Sequence, residues 1–179
     1  MATKGIFAAV VTPVDNTGAI SIERYCRHAR WLLRQGCAGI GVFGTTSEAN
    51  SFSVPELQAT LDAFLAAGLE ANKITLGIGT CARHDTVSLA RHALDHGVTE
   101  LLMMPPFFYK NNTDEGLFRA FAEVIDSVAD PRLELYLYHF PQVSGVPVTK
   151  GVIDRLPKGY DEILAEGGAN LSMGERQLL

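Results

Sequence analysis

The sequence predicts an α/β fold, an incomplete (β/α)8 TIM barrel of about five βα units. Short apolar runs alternate with longer segments of helical period from Ile6 to about Leu156. The runs begin roughly every 26 to 35 residues, which is the spacing of βα units. No nucleotide-binding glycine motif accompanies this regular repeat, and that favours a barrel over a doubly wound open sheet.

The five apolar runs are predicted to be parallel strands because hydrophobic residues occupy both of their faces. The predicted strands are Phe7–Thr12, Gly39–Gly44, Ile74–Gly79, Glu100–Pro106 and Leu133–Phe140. A sheet of five strands does not close, so its first and last strands keep unpaired backbone groups. We therefore expect self-association.

Four helices are predicted between the strands. They are Ser21–Gly36, Ser53–Gly68, Asp85–Gly97 and Thr113–Ala129. Each begins with a residue that can cap a helix, and Ser53-Val-Pro-Glu56 forms a capping box with proline at an early helical position. Three of the four end at a glycine, which is typical of helix C-termini.

The repeat stops short of eight units. A complete barrel needs about 200 to 250 residues, whereas the chain has 179, and no strand-like run follows Leu156. We predict a partial barrel domain over residues 1–156 and an unrelated tail over residues 157–179 that contains a capped helix. Such a junction is expected of a chimera or of a frameshifted or misassembled gene.

The composition and charge argue against a nucleic-acid partner. Fifteen Lys+Arg and twenty Asp+Glu give a net charge of -5, and no basic run is present, so we expect no nucleic-acid partner.

The apolar run Ile6–Val11 is too short to be a signal-peptide core or to span a membrane. Cys26, Cys37 and Cys81 form no CxxC pair and are expected to be buried packing residues. These features predict a cytoplasmic protein with no membrane partner.

Polar residues cluster where the predicted strands end, which is where βα barrels place catalytic groups. The first strand ends in Thr12-Pro13, and the second runs into Gly44-Thr45-Thr46-Ser47-Glu48. The N–H and hydroxyl groups of that second segment can donate hydrogen bonds to a small carboxylate or phosphate. The alternative is a simple helix cap.

Aromatic segments follow the fourth and fifth predicted strands. They are Met104-Pro-Pro-Phe-Phe-Tyr-Lys-Asn111 and Tyr138-His-Phe-Pro-Gln-Val-Ser-Gly145. Tyr138 can relay a proton if a threonine hydroxyl lies beside it. The alternative is a buried tyrosine whose hydroxyl bonds to the backbone.

Together, the strand-end segments resemble the dihydrodipicolinate synthase / N-acetylneuraminate lyase family, pyruvate-handling class I aldolases on a (β/α)8 barrel. The resemblance covers residues 4 to about 156. It implies that Thr46 and its backbone bind the carboxylate of pyruvate or another 2-oxo acid, with Thr12 and Gly44 in the same binding site. It implies that Thr45 and Tyr138 form a catalytic proton relay for Schiff-base chemistry. No cofactor and no metal are expected.

Two positions depart from the family pattern. Phe108 stands where some members carry a second relay tyrosine, so that part is missing or is supplied by Tyr109. Val143 stands where some synthases carry an arginine. This second departure favours a sugar-acid aldolase or dehydratase relative over a true dihydrodipicolinate synthase.

The Schiff-base lysine has no counterpart in the sequence. The family carries it on the sixth strand, and an imine requires an amine that a desolvating strand-end pocket can hold neutral. None of the five lysines lies in such a strand; they are Lys4, Lys73, Lys110, Lys150 and Lys158. The sequence therefore predicts a relay without its nucleophile.

Residues 156–179 resemble the signature region of an ATP-binding cassette, with Leu171-Ser-Met-Gly-Glu175 as a variant signature segment. Ser172-Met-Gly-Glu175 also fits a capping box. The chain has no phosphate-binding G-x-x-x-x-G-K-[ST] loop. A capped helix is therefore the expected structure of this segment.

His92 and His96 lie four residues apart on the third predicted helix, a spacing that can chelate zinc. A helical wheel places them opposite Val87 and Leu94, and no third ligand is evident nearby in the sequence. We therefore predict a solvated outer face here.

The functional hypothesis is a lyase of the Schiff-base aldolase family that acts on 2-oxo (sugar) acids and lacks its lysine. The alternative is a non-catalytic half-barrel that self-associates as a binding or assembly module. A component of an ATP-binding cassette is the third interpretation.

Overall fold

One parallel sheet organises the chain. The computed structural model describes residues 5–155. Its strands are β1 (Phe7–Ala9), β2 (Gly39–Val42), β3 (Ile74–Gly77), β4 (Glu100–Met103) and β5 (Glu134–Leu137). Each strand pairs in parallel with the next one along the chain, in the order β1-β2-β3-β4-β5. This order has no reversal, so it is that of a barrel and not that of a doubly wound sheet.

Four long helices connect the strands and confirm the predicted alternation. They are α1 (Ile22–Arg34), α2 (Val54–Ala66), α3 (Arg83–Asp95) and α4 (Asp114–Val128). Two short helices that the sequence pattern did not predict follow β5, namely α5 (Pro141–Ser144) and α6 (Lys150–Ile153). Four residues are too few to show a helical period.

The predicted helix ends are largely confirmed. The Glu56 carboxylate accepts hydrogen bonds from Ser53 N at 2.8 Å and from Ser53 Oγ at 2.6 Å, and these bonds lower the pKa of Glu56. Thr113 Oγ1 accepts from Gly116 N at 3.1 Å and so caps α4. The prediction for α3 was wrong by two residues, because this helix begins at Arg83 and Asp85 lies in its first turn.

The strands end two or three residues earlier than the apolar runs predicted. In β2 the cause is visible in the backbone, since Phe43 has a φ of 58° and therefore leaves the extended conformation. The residues after each strand form strand-end loops, and the functional segments lie in these loops.

The hydrophobic core lies between the helices and the outer face of the sheet. Buried strand residues such as Ile40 and Leu101 belong to the same apolar cluster as Leu61 of α2. Tyr25 of α1 packs edge-on against Phe64 of α2, with ring centroids 4.6 Å apart. Burial of each large apolar side chain stabilises the fold by about 1.5 to 3 kcal/mol.

Small residues open space on the inner face of the sheet and around its strand ends. The small residues Ala9 and Gly41 border a cavity on this inner face, and Leu102 borders it as well. A Cβ atom on Gly77 would collide with the carbonyl group of Phe43. Glycine at this position therefore lets the backbone that leads into Gly44 lie directly on β3.

Several predictions concern parts of the chain outside residues 5–155. The boundary at Leu156, the tail 157–179 and the Ser172–Glu175 helix lie outside the described residues. Within the described residues, no helix combines the length and apolarity needed to span a bilayer.

The three cysteines are free thiols, and Cys81 is exposed, so the prediction that it is buried was wrong.

Candidate active site

A tight loop after β2 presents the predicted binding segment. Phe43 and Glu48 both have a positive φ, 58° and 52°, and Glu48 N donates to Thr45 O at 3.1 Å. Between them, Ser47 is buried and its Oγ donates to Val10 O at 2.6 Å. The loop is thereby fixed to the end of β1.

Thr12 forms a second hydrogen bond to the same loop. Its hydroxyl donates to Ser47 O at 2.7 Å and lies 3.4 Å from the hydroxyl of Tyr25. Burial raises the pKa of Tyr25, and hydrogen bonds to Thr12 and Ser47 oppose that rise. Sequence reasoning missed the supporting roles of Ser47 and Tyr25. The pattern groups Ser47 with the strand-end donors, and Tyr25 lies on a helix away from the strand ends.

Thr12 does not border the cavity that contains the other predicted site residues. Its contacts are those of a positioning residue, since the hydroxyl that was predicted to bind substrate already donates to Ser47 O. Binding of substrate by Thr12 stays a prediction.

The predicted relay residues lie in hydrogen-bond contact. Thr45 Oγ1 and the Tyr138 hydroxyl oxygen are 3.2 Å apart, and either atom can be the donor. Tyr138 is placed by its backbone N–H, which donates to Met103 O at 2.9 Å and extends the β4–β5 pairing. A pair of hydroxyls in which each can donate is able to pass a proton in either direction.

An open cavity of about 280 Å³ brings the binding segment and the relay together. Gly44, Thr45, Thr46 and Tyr138 all border it. Among the hydrogen bonds of residues 5–155, the amide N–H groups of Thr45 and Thr46 have no protein acceptor. These amides and the Thr46 hydroxyl form an arrangement of donors suited to a small anion.

His139 also borders this cavity and was not predicted. Its Nδ1 accepts a hydrogen bond from Val148 N at 3.0 Å, so the neutral imidazole carries its proton on Nε2. A larger cavity of about 450 Å³ lies near the first turns of α2 and α3 and contains none of the predicted site residues. We therefore assign the site to the smaller cavity.

Two of the three aromatic residues that follow β4 lie on the exposed surface. Phe108 is 68% exposed and Tyr109 is 77% exposed, and their ring centroids lie 5.1 Å apart. Neither borders the cavity of Thr45 and Tyr138. That Tyr109 supplies the second relay hydroxyl stays a prediction.

None of the three lysines within residues 5–155 borders the cavity. Lys110 Nζ donates to Phe107 O and, at 2.7 Å, to Ser144 O. Lys150 pairs with Asp154 at 2.6 Å. Lys73 precedes β3 and so lies at the end of the sheet opposite the site. Lys4 and Lys158 are outside the described residues.

Comparison with known proteins assigns the chain to a family. The model of the dihydrodipicolinate synthetase family matches residues 2–170. The chain belongs to the dihydrodipicolinate synthetase family. The family match includes residues 157–170 of the predicted tail, and these comparisons give no support to an ATP-binding cassette segment.

Curated relatives of the family are considerably longer than the chain. An uncharacterised DapA-like lyase of Chloroflexus aurantiacus is 39% identical over 155 residues, which are 86% of this chain and 51% of the relative. Human N-acetylneuraminate lyase is 29% identical over 161 residues, 86% of this chain and 50% of the relative. The chain thus spans about half the length of the relatives it matches.

Solved family structures share the fold. Dihydrodipicolinate synthase from Agrobacterium tumefaciens aligns with a TM-score of 0.82 at 32% identity, covering 88% of this chain and 55% of that one. A prophage protein of E. coli K12 from the same family, solved in complex with pyruvate, aligns with a TM-score of 0.74 at 22% identity, covering 89% and 52%. The observed βα units therefore correspond to part of a TIM barrel.

Proposed function

We propose that residues 5–155 supply the carboxylate-binding and proton-relay part of a Schiff-base lyase site for pyruvate or another 2-oxo (sugar) acid. The observation that carries the proposal is the contact of 3.2 Å between Thr45 Oγ1 and the Tyr138 hydroxyl beside a loop of amide donors. The relatives named as lyases, and the family member solved with pyruvate, support the same chemistry.

The carboxylate would bind at the mouth of the cavity. The amides of Thr45 and Thr46 have no protein acceptor within residues 5–155, and Thr46 is exposed at the cavity edge. Hydrogen bonds from such groups to a carboxylate are charge-assisted and therefore stronger than those between neutral groups. Bound in this way, a 2-oxo acid places its carbonyl near Tyr138.

The relay would serve the formation and breakdown of the imine. When an amine attacks the 2-oxo carbon, the carbonyl oxygen must gain protons before it leaves as water. The Tyr138 hydroxyl can donate one of these protons, and a proton that the amine nitrogen releases can return to Tyr138 through Thr45. Residues 5–155 do not supply this amine, since none of their lysines borders the cavity.

The substrate class and the cellular location are two finer parts of the proposal. Val143, in place of an arginine, supports a sugar-acid aldolase or dehydratase over a synthase. The free thiols of Cys26, Cys37 and Cys81 support a cytoplasmic location.

A pyruvate titration followed by amide chemical shifts tests the binding step. We expect saturable shifts at residues 44–47, and we expect Thr46→Val to weaken binding about tenfold or more, since a hydrogen bond to a charged group contributes about 1.5 to 3 kcal/mol. The matched control is Thr60→Val, because the Thr60 hydroxyl donates only to Glu56 O in its own helix. If pyruvate causes no saturable shifts, or binds Thr46→Val as tightly as wild type, the proposal is wrong.

A second candidate function is a half-barrel that self-associates. Within the described residues, β1 and β5 each have a single neighbouring strand, and Ile6 and Val11 beside β1 are 75% and 53% exposed. Light scattering across a range of concentrations tests this candidate. A mass that increases with concentration supports self-association, and a monomer at every concentration contradicts it.

A further inference from the structure

Three potential metal ligands meet on the outer face of the helical layer. His92 lies in the last turn of α3, His96 caps the C-terminus of the same helix one turn later, and Asp62 reaches both from the neighbouring helix α2. Asp62 Oδ1 is 2.8 Å from His92 Nε2 and 3.4 Å from His96 Nε2. One donor atom from each residue can be chosen so that all three lie within 4.8 Å of one another.

The hydrogen bonds of His96 make its Nε2 a ligand atom. His96 Nδ1 lies 2.8 Å from His92 O, and a carbonyl can only accept, so Nδ1 carries a proton. In the neutral ring, Nε2 then holds a lone pair and faces the Asp62 carboxylate oxygen, which also only accepts. Two acceptors in contact repel each other unless a proton or a cation lies between them.

We infer that Asp62, His92 and His96 form a binding site for Zn²⁺. Two imidazole nitrogens and one carboxylate oxygen are a common protein ligand set for this ion, with water in the fourth position. Ligand bonds of about 2.1 Å in a tetrahedron separate the donor atoms by about 3.4 Å. The distance from Asp62 Oδ1 to His96 Nε2, 3.4 Å, equals that value. The distance from Asp62 Oδ1 to His92 Nε2, 2.8 Å, is that of a direct hydrogen bond, which would have to lengthen to admit the ion.

A hydrogen bond to the backbone orients one of the two histidine ligands. The bond from His96 Nδ1–H to the His92 carbonyl fixes both the ring orientation and the tautomer, which is the usual outer-shell support of a metal-bound histidine. The three side chains remain accessible from solvent; His92 is the most covered, with 22% of its side chain exposed. None of them borders the cavity of Thr45 and Tyr138.

The location of the site indicates a structural role. A bound ion would link α2 to α3 across their packed interface and add a cross-link that the unfolded chain does not hold. Zn²⁺ binding at this site does not depend on the proposed lyase function. A failed zinc titration would therefore say nothing against that proposal.

Titration of the full, tag-free chain with ZnCl₂ by calorimetry tests the site. We expect saturable binding of one ion per chain and a higher melting temperature with Zn²⁺. We expect Asp62→Asn and His96→Gln each to weaken binding by at least about tenfold, because loss of even an outer-shell partner costs about 10- to 100-fold in metal affinity. These two exposed positions keep the test valid if His92→Gln impairs folding.

The matched control is His84→Gln, an exposed histidine on the same helix that lies outside the cluster. Its Zn²⁺ affinity and its melting shift should equal those of wild type. Absence of saturable binding, or binding that survives both Asp62→Asn and His96→Gln, would overturn the inference and leave an ion pair between Asp62 and protonated histidines as the role of the cluster.

Discussion

The hydroxyl oxygens of Thr45 and Tyr138 lie 3.2 Å apart, although 93 residues separate them in the chain. Their strands, β2 and β5, are not neighbours, because β3 and β4 lie between them. In a flat sheet, three strand spacings would separate the two strand ends by about 14 Å. The contact therefore shows that the sheet curves toward a barrel and that this curvature assembles the site.

The contact between these two hydroxyls should be measurable as a coupling energy. We expect Thr45→Val and Tyr138→Phe to be non-additive in the free energy of unfolding by about 0.5 to 1.5 kcal/mol, the usual net value of a hydrogen bond. Urea unfolding of the two single variants and the double variant measures it. Thr45→Val combined with Ser88→Ala, on the exposed side of α3, is the additive control. Additivity of the Thr45 and Tyr138 variants would show that the contact does not form in solution.

Ser47 should stabilise the loop that carries the binding segment. Ser47→Ala removes the donor to Val10 O and leaves a buried carbonyl without that hydrogen bond. We expect a loss of about 1 to 3 kcal/mol in the free energy of unfolding, measured by urea denaturation. Ser88→Ala, which removes an exposed contact with Gln58, should cost far less. Equal effects of the two variants would contradict the supporting role of Ser47.

Tyr25 should make the protein sensitive to alkali. Burial raises its pKa in the folded state above the ordinary value of about 10. The neutral phenol contributes its stabilisation below pH about 10, and that contribution is lost as the pH rises through the raised folded pKa. The difference in melting temperature between wild type and Tyr25→Phe should therefore shift in favour of the variant above pH about 10.

The exposed residue Tyr109 provides the control for this pH series. Tyr109→Phe should have only a small effect on the melting temperature, because the side chain is 77% exposed. A difference between wild type and Tyr25→Phe that stays constant from pH about 8 to 11 would contradict the prediction.

Local sequence patterns predicted the βα units because periodicity and capping act over a few residues. All five strands and all four long helices form within the predicted runs, apart from the early start of α3 at Arg83. The pattern overestimated the strand lengths because apolar residues continue past the point where the backbone turns. Phe43 shows this clearly, since it is buried and apolar but has a positive φ.

Contacts between distant segments could not be predicted from the sequence. Asp62 lies 30 residues before His92, and only the packing of α2 on α3 brings the carboxylate to the two imidazoles. Tyr25 and Thr12 meet for a similar reason, because the fold brings α1 next to the residues that follow β1. Thr45 and Tyr138 could be paired beforehand only through resemblance to a family, since no local spacing connects the ends of β2 and β5.

Treatment of the 179-residue chain with pyruvate and borohydride should leave its intact mass unchanged. Imine formation needs a neutral amine that attacks the 2-oxo carbon, with loss of water, and borohydride then reduces the C=N bond to a stable secondary amine. An ordinary lysine with a pKa of about 10.4 presents the free amine in only a few of every ten thousand molecules at neutral pH. Within residues 5–155, no lysine borders the cavity where a desolvated amine would be required. Peptide mapping after the reaction shows whether any lysine has reacted. An adduct at a single lysine, such as Lys110 or Lys158, would show that the chain carries its own nucleophile. Replacement of that lysine by arginine should then abolish the adduct.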